Sequence, residues 1–256
     1  LRHGGAALIN RKDPKQAFSE LNKFGKRMHN NGWSAVIFPE GTRSRNGKPK
    51  KFSLNGLKII IEHNPEAYIV PIAINKMIEH ENIKEQLLTL INESPGERVH
   101  SQEHNDLDIT KCDYKLNNVV QEMDNPERVW LHVIRPHILN VVQDTYKNLG
   151  YDTYRIHNIW FQQYAQGSTH GWHCHTDCQW TNVYYLDMPD GSPKTELVMP
   201  VSKNQILTLD VEEGDVVTFP SFIIHRAPVN NGPNVKTIIS WNSDSDIESG
   251  KEIMHV

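Results

Sequence analysis

Two hydrophobic rhythms run through the chain. In the first part, Asp13-Pro14 opens a helix with proline near its first position. Phe18, Leu21, Phe24, Gly25 and Met28 follow at helical spacing, and Gly32 ends the run. A short apolar run, Ala6–Ile9, precedes it. Buried strands are predicted over Ser34–Phe38 and Tyr68–Ile74, with a second helix over Leu57–Glu62, so the segment reads as βαβ-like. A further helix is predicted around Ile83–Ile91, through Ile83, Leu87, Leu90 and Ile91. Asn125-Pro126 should start a longer one that buries Val129, Val133, Ile134 and Val142 and kinks at Pro136. After Gly150 the period changes. Short strands are expected near 153–164, 181–187, 195–200, 205–210, 215–219, 222–229 and 235–242, separated by Gly, Pro, Asn and Asp, as in a sandwich or jelly roll. The polar stretch Ser94–Asp108 reads as a loop or linker, and the chain divides near Asn75–His80.

Composition sharpens this division. The 256 residues are 38% hydrophobic and 23% charged, which suits a globular chain. The net charge of -4 conceals an asymmetry: residues 1–77 hold fourteen basic and five acidic residues, a balance of +9, which leaves thirteen and twenty-six, a balance of -13, for 78–256. A basic segment favours phosphates or an anionic membrane surface, with peripheral contact at most, while the acidic remainder opposes nucleic-acid binding. No apolar run reaches the roughly 18 residues of a membrane span. Three cysteines (Cys112, Cys174, Cys178) make no disulfide framework and point to a reducing, cytoplasmic setting. The chain opens on Leu1 and is expected to be a fragment whose true start is missing.

The sharpest chemistry lies in Gly171-Trp172-His173-Cys174-His175-Thr176-Asp177. Residues two apart on an extended strand face the same way, so His173, His175 and Asp177 should share a face. A histidine and a carboxylate there supply two arms of a facial triad. His225, after the strand Asp215–Phe219 and the turn Pro220-Ser221, supplies the third, and such a set suits Fe(II) with open coordination positions. Lys236, eleven residues beyond His225, is placed to pair with the distal carboxylate of a 2-oxo acid. Trp160, Trp172 and Trp180 are candidates for the substrate mouth or for core packing. Cys174 and Cys178 lack a second Cys/His pair at structural-zinc spacing.

The ordered series Tyr164-x-x-Gly167, His175-x-Asp177, Val183-Tyr184-Tyr185-Leu186, Gly214-Asp215, Phe219-Pro220-Ser221, His225 and Lys236 to Trp241-Asn242 resembles the 2-oxoglutarate and Fe(II)-dependent oxygenases of the double-stranded β-helix type, close to prolyl-hydroxylase-like and phage or marine microbial members. The resemblance implies His175, Asp177 and His225 as iron ligands, with Lys236, Tyr185 and Tyr164 around the 2-oxoglutarate C5 carboxylate. Many members carry Ser or Thr two residues after the basic one; Ile238 stands there. An ungapped count from Gly167 instead places the first ligand at His173 and the second at His175, a three-histidine alternative. The carboxylate set is preferred because it balances the iron charge. The implied activity is hydroxylation of a small-molecule or peptidyl substrate with O2 as cosubstrate and ascorbate as an accessory reductant. A metal-free cupin-like binding module is the alternative from another class.

Phe38-Pro39-Glu40-Gly41-Thr42-Arg43-Ser44 follows a predicted strand and offers a hydroxyl, a guanidinium and turn N–H groups to an oxyanion. With Gly5–Arg11 and Val70–Ile74 it resembles the glycerolipid acyltransferases that acylate lysophosphatidic acid in phospholipid biosynthesis. The resemblance implies an acceptor-phosphate site of Arg11, Glu40, Gly41, Thr42 and Arg43. The expected architecture is therefore an α/β acyltransferase fragment over 1–77. A mostly β double-stranded β-helix (jelly roll) with flanking N-terminal helices follows over 78–256. A natural protein that is chiefly an acyltransferase with an accessory β domain is the competing reading. Residues 1–77 contain no His-x4-Asp block, the family's general base. The chain is expected to give no turnover of acyl-CoA with lysophosphatidate; thiol release above background in that assay would contradict this.

Overall fold

The computed structural model describes residues 7–10, 12–33, 35, 37, 54–67, 69–101, 103, 106–116, 127–198 and 205–246. They divide into two compact units, one within Leu1–Ile69 and the other principally Val70–Val198 and Ile206–Val256.

The described part of the first unit is a helical pair, α1 (Pro14–Asn31) and α2 (Leu54–His63). The Asp13 carboxylate caps α1 by accepting from the Gln16 amide, and Gly32 ends it at φ 61, the left-handed conformation that glycine adopts without strain. Gly25 is where the helices meet, since a β-carbon there would lie 2.9 Å from the His63 ring. The Asn64 amide ties them by donating to the Gly25 and Ile60 carbonyls at 3.1 and 2.9 Å. Phe18, expected on the buried stripe, is 59% exposed. The predicted strand 34–38 and the residues Arg11, Glu40, Gly41, Thr42 and Arg43 fall largely or wholly outside the described residues.

The second unit is a curled antiparallel sheet with two helices, α3 (His80–Glu93) and α4 (Val129–Leu149). Its strands are β1 (Ala73–Lys76), β2 (Glu97–His100), β3 (Leu107–Cys112), β4 (Thr153–Tyr164), β5 (Thr169–His173), β6 (Trp180–Asp187), β7 (Glu196–Val198), β8 (Ile206–Thr208), β9 (Asp215–Pro220), β10 (His225–Ala227) and β11 (Lys236–Asp246). Their order is β1-β9-β6-β11-β4-β3-β5-β10-β7-β8, with β2 beside β3. Two sequence expectations change here. Of the strand predicted over 68–74 only Ala73 and Ile74 are extended within the sheet, as the start of β1, which pairs with β9. The supposed linker 94–108 contributes β2 and the start of β3, which joins β4 to β5.

Strict alternation gives the sheet two apolar faces. Ile159 and Phe161 of β4, Tyr184 and Leu186 of β6, and Ile239 and Trp241 of β11 pack on Ile83, Leu87 and Ile91 of α3 and on Trp130, Ile134, Ile138, Val142 and Tyr146 of α4. The intervening residues Trp160, Tyr164, Val183, Tyr185, Val217, Phe219 and Ile238 line the interior. Helix α4 continues through Pro136, which sits on its solvent face, and Val129, expected buried, is 47% exposed.

One buried ion pair locks α4 to the sheet. Asp113 accepts from Arg128 Nε at 2.9 Å and, through its other oxygen, from the Phe161 amide at 2.9 Å, while Arg128 also donates to the Ile159 carbonyl. Both side chains are almost wholly buried, at 1% and 0% exposure. Removing one partner of such a pair strands a charge, so Asp113→Ala is expected to cost about 3–5 kcal/mol. Asp113→Asn, which keeps both acceptor geometries in part, should cost less. Urea unfolding measures both; a loss below about 1 kcal/mol for the alanine variant would contradict the assignment.

Candidate metal centre

The site begins with strand pairing. His225 of β10 stands directly opposite His173 of β5, and opposed side chains lie within reach of one another. His175 lies past the end of β5, where its amide donates to the Ser221 carbonyl at 3.0 Å. The Ser221 amide in turn donates to the Gln179 carbonyl at 2.9 Å, so the segment is stitched to the turn before β10. One ring nitrogen from each of His173, His175 and His225 then lies within 4.8 Å of the others, the group able to hold a metal among the described residues. Ring centroids are 4.2 Å apart for His173 and His225, 5.4 Å for His173 and His175, and 5.1 Å for His175 and His225.

The outer partners decide which nitrogen is free. Nδ1 of His173 donates to the Gly171 carbonyl at 2.8 Å, Nδ1 of His225 to the Ile223 carbonyl at 2.9 Å, and Nδ1 of His175 to Asn242 Oδ1 at 2.6 Å. With all three Nδ1–H groups donating to oxygen, each Nε2 keeps its lone pair, the arrangement that orients a metal-binding imidazole. Gly171 is fitted closely: a β-carbon there would meet the Asp106 carboxylate at 2.3 Å.

Burial favours the neutral rings. It pulls His225 down to about 2 and His173 to about 4, helped by the neighbouring imidazoles, and it lowers His175 as well. A fourth ring, His170, stacks on His173 at 3.8 Å and 15° and is held down to about 3 by the same burial.

Asp177 lies outside this group. Its φ of 60° turns the chain, and its exposed carboxylate accepts from Thr176 Oγ1 at 3.3 Å. The three tryptophans separate. Trp160 lies on the interior face, 5.9 Å from the His175 ring. Trp180 packs in the helix-side core against Tyr146 and Tyr151. Trp172 points outward under Arg226, whose guanidinium is 4.4 Å from its ring and also pairs with Glu196 at 2.7 Å.

At the other end of the interior, Lys236 pairs in register with Tyr164, and its neighbour on β11, Ile238, with Tyr185. Lys236 is 1% exposed. It donates to the Pro193 carbonyl at 2.6 Å and lies 5.3 Å from the Tyr185 ring, and no carboxylate partners it among the described residues. Burial alone brings its ammonium down to about 7. The Tyr185 hydroxyl donates to Thr195 Oγ1 at 2.6 Å.

Residues 158–242 match the family model described as "Putative 2OG-Fe(II) oxygenase", and residues 1–75 match the acyltransferase family model. No curated protein matches the chain. Among solved structures, an oxidoreductase of the 2OG-Fe(II) oxygenase family from Burkholderia pseudomallei is similar at 14% identity and TM-score 0.53, over 67% of this chain and 84% of that one. A prolyl hydroxylase from Trichoplax adhaerens, in complex with a hypoxia inducible factor oxygen degradation domain peptide fragment, is similar at 15% identity and TM-score 0.49, over 67% and 82%. A Pseudomonas putida prolyl-4-hydroxylase is similar at 10% identity and TM-score 0.44, over 73% and 98%. The fold of the second unit is that of the 2OG-Fe(II) oxygenases. No described helix is long and apolar enough to cross a membrane.

The buried histidines set a pH dependence. Their folded-state pKa values lie below the ordinary 6.5, so below that pH the unfolded chain binds more protons than the folded one. Stability of the metal-free protein should therefore fall as pH drops from about 7 to 5.5, by about 1 kcal/mol for each of His173 and His225. Urea unfolding at the two pH values checks this, and His225→Gln should flatten the slope. A stability that holds steady or rises on acidification would sink the assignment.

Proposed function

We propose that residues 78–256 form an Fe(II)- and 2-oxoglutarate-dependent oxygenase in which His173, His175 and His225 hold the iron. The observation that carries this reading is the set of converging imidazoles whose Nδ1 atoms are all engaged, leaving three Nε2 lone pairs. Neutral nitrogen donors suit a divalent transition metal. The choice of His173 over Asp177 rests on the left-handed turn that carries the Asp177 carboxylate into solvent. Three neutral ligands leave the full dipositive charge on the metal, which favours a dianionic chelating cosubstrate.

Lys236 is proposed to receive the distal carboxylate of 2-oxoglutarate, supported by Tyr164 and Tyr185. A buried ammonium with only a carbonyl partner is under-solvated, and an arriving carboxylate restores its charge. The tyrosine rings and the apolar lining of Val183, Val217 and Ile238 exclude water from that contact. Bound together, iron, 2-oxoglutarate and O2 supply the oxidising equivalent that hydroxylates a substrate C–H bond. The chain's own part is to fix the ligand tautomers, orient the cosubstrate between Lys236 and the histidines, and keep the interior dry. The reading extends to a small-molecule or peptidyl substrate, and the acyltransferase-like residues 1–77, whose last strand β1 lies in the second unit's sheet, are proposed to carry no acyl-transfer activity in this chain.

Anaerobic titration with Fe(II) and 2-oxoglutarate, followed by the visible charge-transfer band, tests the assignment. The band should be absent in His225→Ala and in His173→Ala and retained in Asp177→Ala; retention in both histidine variants would remove them from the site, and no band in the unaltered chain would favour the metal-free binding module. Lys236→Met should weaken 2-oxoglutarate binding at least about 30-fold, the effect of truncating one partner of a buried charge pair. Because burial holds Lys236 near 7, binding of the carboxylate must restore its proton at higher pH. Affinity should fall roughly fivefold to tenfold between pH 7.5 and 8.5, and Lys236→Arg should remove that dependence. A wild-type affinity that stays flat over this interval would count against Lys236 as the anchor.

A further inference from the structure

β11 lies between β4 and β6, and Asn242 pairs with Asn158 on one side and Thr181 on the other. Thr181 pairs onward with Phe219 of β9. Directly opposed residues share a face, so these four side chains stand abreast, about 4.8 Å from strand to strand. The face is the interior one, since Trp160, Val183 and Val217 lie two positions along the same strands. The row touches the metal centre at two points. Asn242 Oδ1 accepts from His175 Nδ1 at 2.6 Å, and the Phe219 ring lies 4.9 Å from His225.

Two members of this row have buried polar atoms with no partner: Asn158 Oδ1 and Thr181 Oγ1. Thr181 is 1% exposed. Such atoms are rare in folded proteins and destabilise them, so each calls for an explanation. On the opposite face of the same stretch Trp241 Nε1 is also without a partner, while the amide and hydroxyl groups there are paired. Asn182, on the opposite face, bonds to the Trp241 carbonyl, Ser243 and Thr218. On the side that faces the histidines, Asn158 Oδ1 and Thr181 Oγ1 are the buried side-chain atoms left without a partner among the described residues.

We infer that Asn158, Asn242 and Thr181 form a recognition shelf for an amide group of the substrate, held beside the metal. This rests on the oxygenase reading and names its substrate chemistry. The Asn158 carboxamide makes no side-chain hydrogen bond among the described residues, so it offers an acceptor and a donor together. Asn242 has its oxygen engaged by His175, which leaves its Nδ2 as a donor, and Thr181 adds a hydroxyl. A neutral amide matches this set: its N–H donates to Asn158 Oδ1 and its carbonyl accepts from Asn242 Nδ2 or Thr181 Oγ1. A carboxylate or phosphate has no N–H or O–H to give and would face the Asn158 oxygen with another acceptor.

The test uses the metal-loaded chain with 2-oxoglutarate, Zn(II) replacing Fe(II) to keep spectra sharp. Side-chain carboxamide signals are followed in 1H–15N spectra during titration with acetamide, acetate and ethylene glycol. Acetamide should shift the Asn158 and Asn242 signals saturably, and the other two probes should not. Thr181→Val and Asn158→Leu should each weaken acetamide at least tenfold while Zn(II) and 2-oxoglutarate affinities stay within twofold. Thr181→Val should also raise the melting temperature by removing an unsatisfied hydroxyl, a gain in stability coupled to loss of binding that a packing role would not give. Intact Zn(II) and 2-oxoglutarate binding with no acetamide response, or with acetate or ethylene glycol bound as tightly, would overturn the shelf and leave the oxygenase reading standing. Failure of Zn(II) to bind would overturn both.

Discussion

A single cross-strand pair, His225 facing His173, is the constraint on which the second unit's chemistry depends. Neither histidine can reach the other through local structure, because the strands that carry them are distant in the chain. They meet because β10 closes onto β5 while β3 bridges β5 to β4. Slipping this register by one residue would turn His225 outward and bring Arg226 or Ile224 into the interior. The turn contacts at Ser221 and the cross-sheet bonds around Asn230, whose amide donates to the Tyr164 and Asn234 carbonyls at 2.8 and 2.9 Å, oppose such a slip.

The interior thereby gains two unlike ends. Three imidazoles held neutral by burial stand at one, and a lysine with no counter-charge stands at the other. Separately, each is an unfavourable arrangement: clustered rings resist protonation, and a buried ammonium lacks solvation. Together they suit a ligand that chelates a cation with one end and carries a carboxylate at the other. The helices contribute indirectly. By burying Ile159, Phe161, Tyr184 and Trp241 on the outer face of the sheet, α3 and α4 fix the strands whose alternate residues form the lining. The Asp113–Arg128 pair fastens the start of α4 to β4 at the level of that lining.

Much of this was legible in the sequence. The strands 159–164, 181–187, 215–219 and 235–242 announced themselves because they are apolar runs that bury both faces almost throughout. The segments that escaped prediction were those with weak patterns. β2 is largely exposed, β3 mixes Asp and Lys with Ile and Leu, and β5 is Thr-His-Gly-Trp-His, whose histidines register as polar although they face inward. At the site, period-two reasoning placed His173 and His175 on one side. It did not reveal that regular extension ends before Asp177, because no proline or glycine marks the turn and the left-handed residue is the aspartate itself. The count from Gly167, which measures chain length from a fixed turn and does not assume that the strand persists, picks out the pair His173 and His175 that the fold brings beside His225.

The role of Asn242 lay beyond any reading of spacing. In sequence it is one more polar residue near the end of a strand. In space it is the acceptor that sets the tautomer of His175. That bond also links two properties usually treated apart. A side chain that donates its amide hydrogens to a substrate group on one side, while accepting the imidazole proton on the other, would make the basicity of the His175 ring, proposed to hold the iron, depend on what lies next to it. Polarisation through the Asn242 carboxamide would strengthen its oxygen as an acceptor whenever its Nδ2 hydrogens are engaged. Occupancy of the shelf and electron density at the metal would thus be coupled through one planar group, without movement of the backbone.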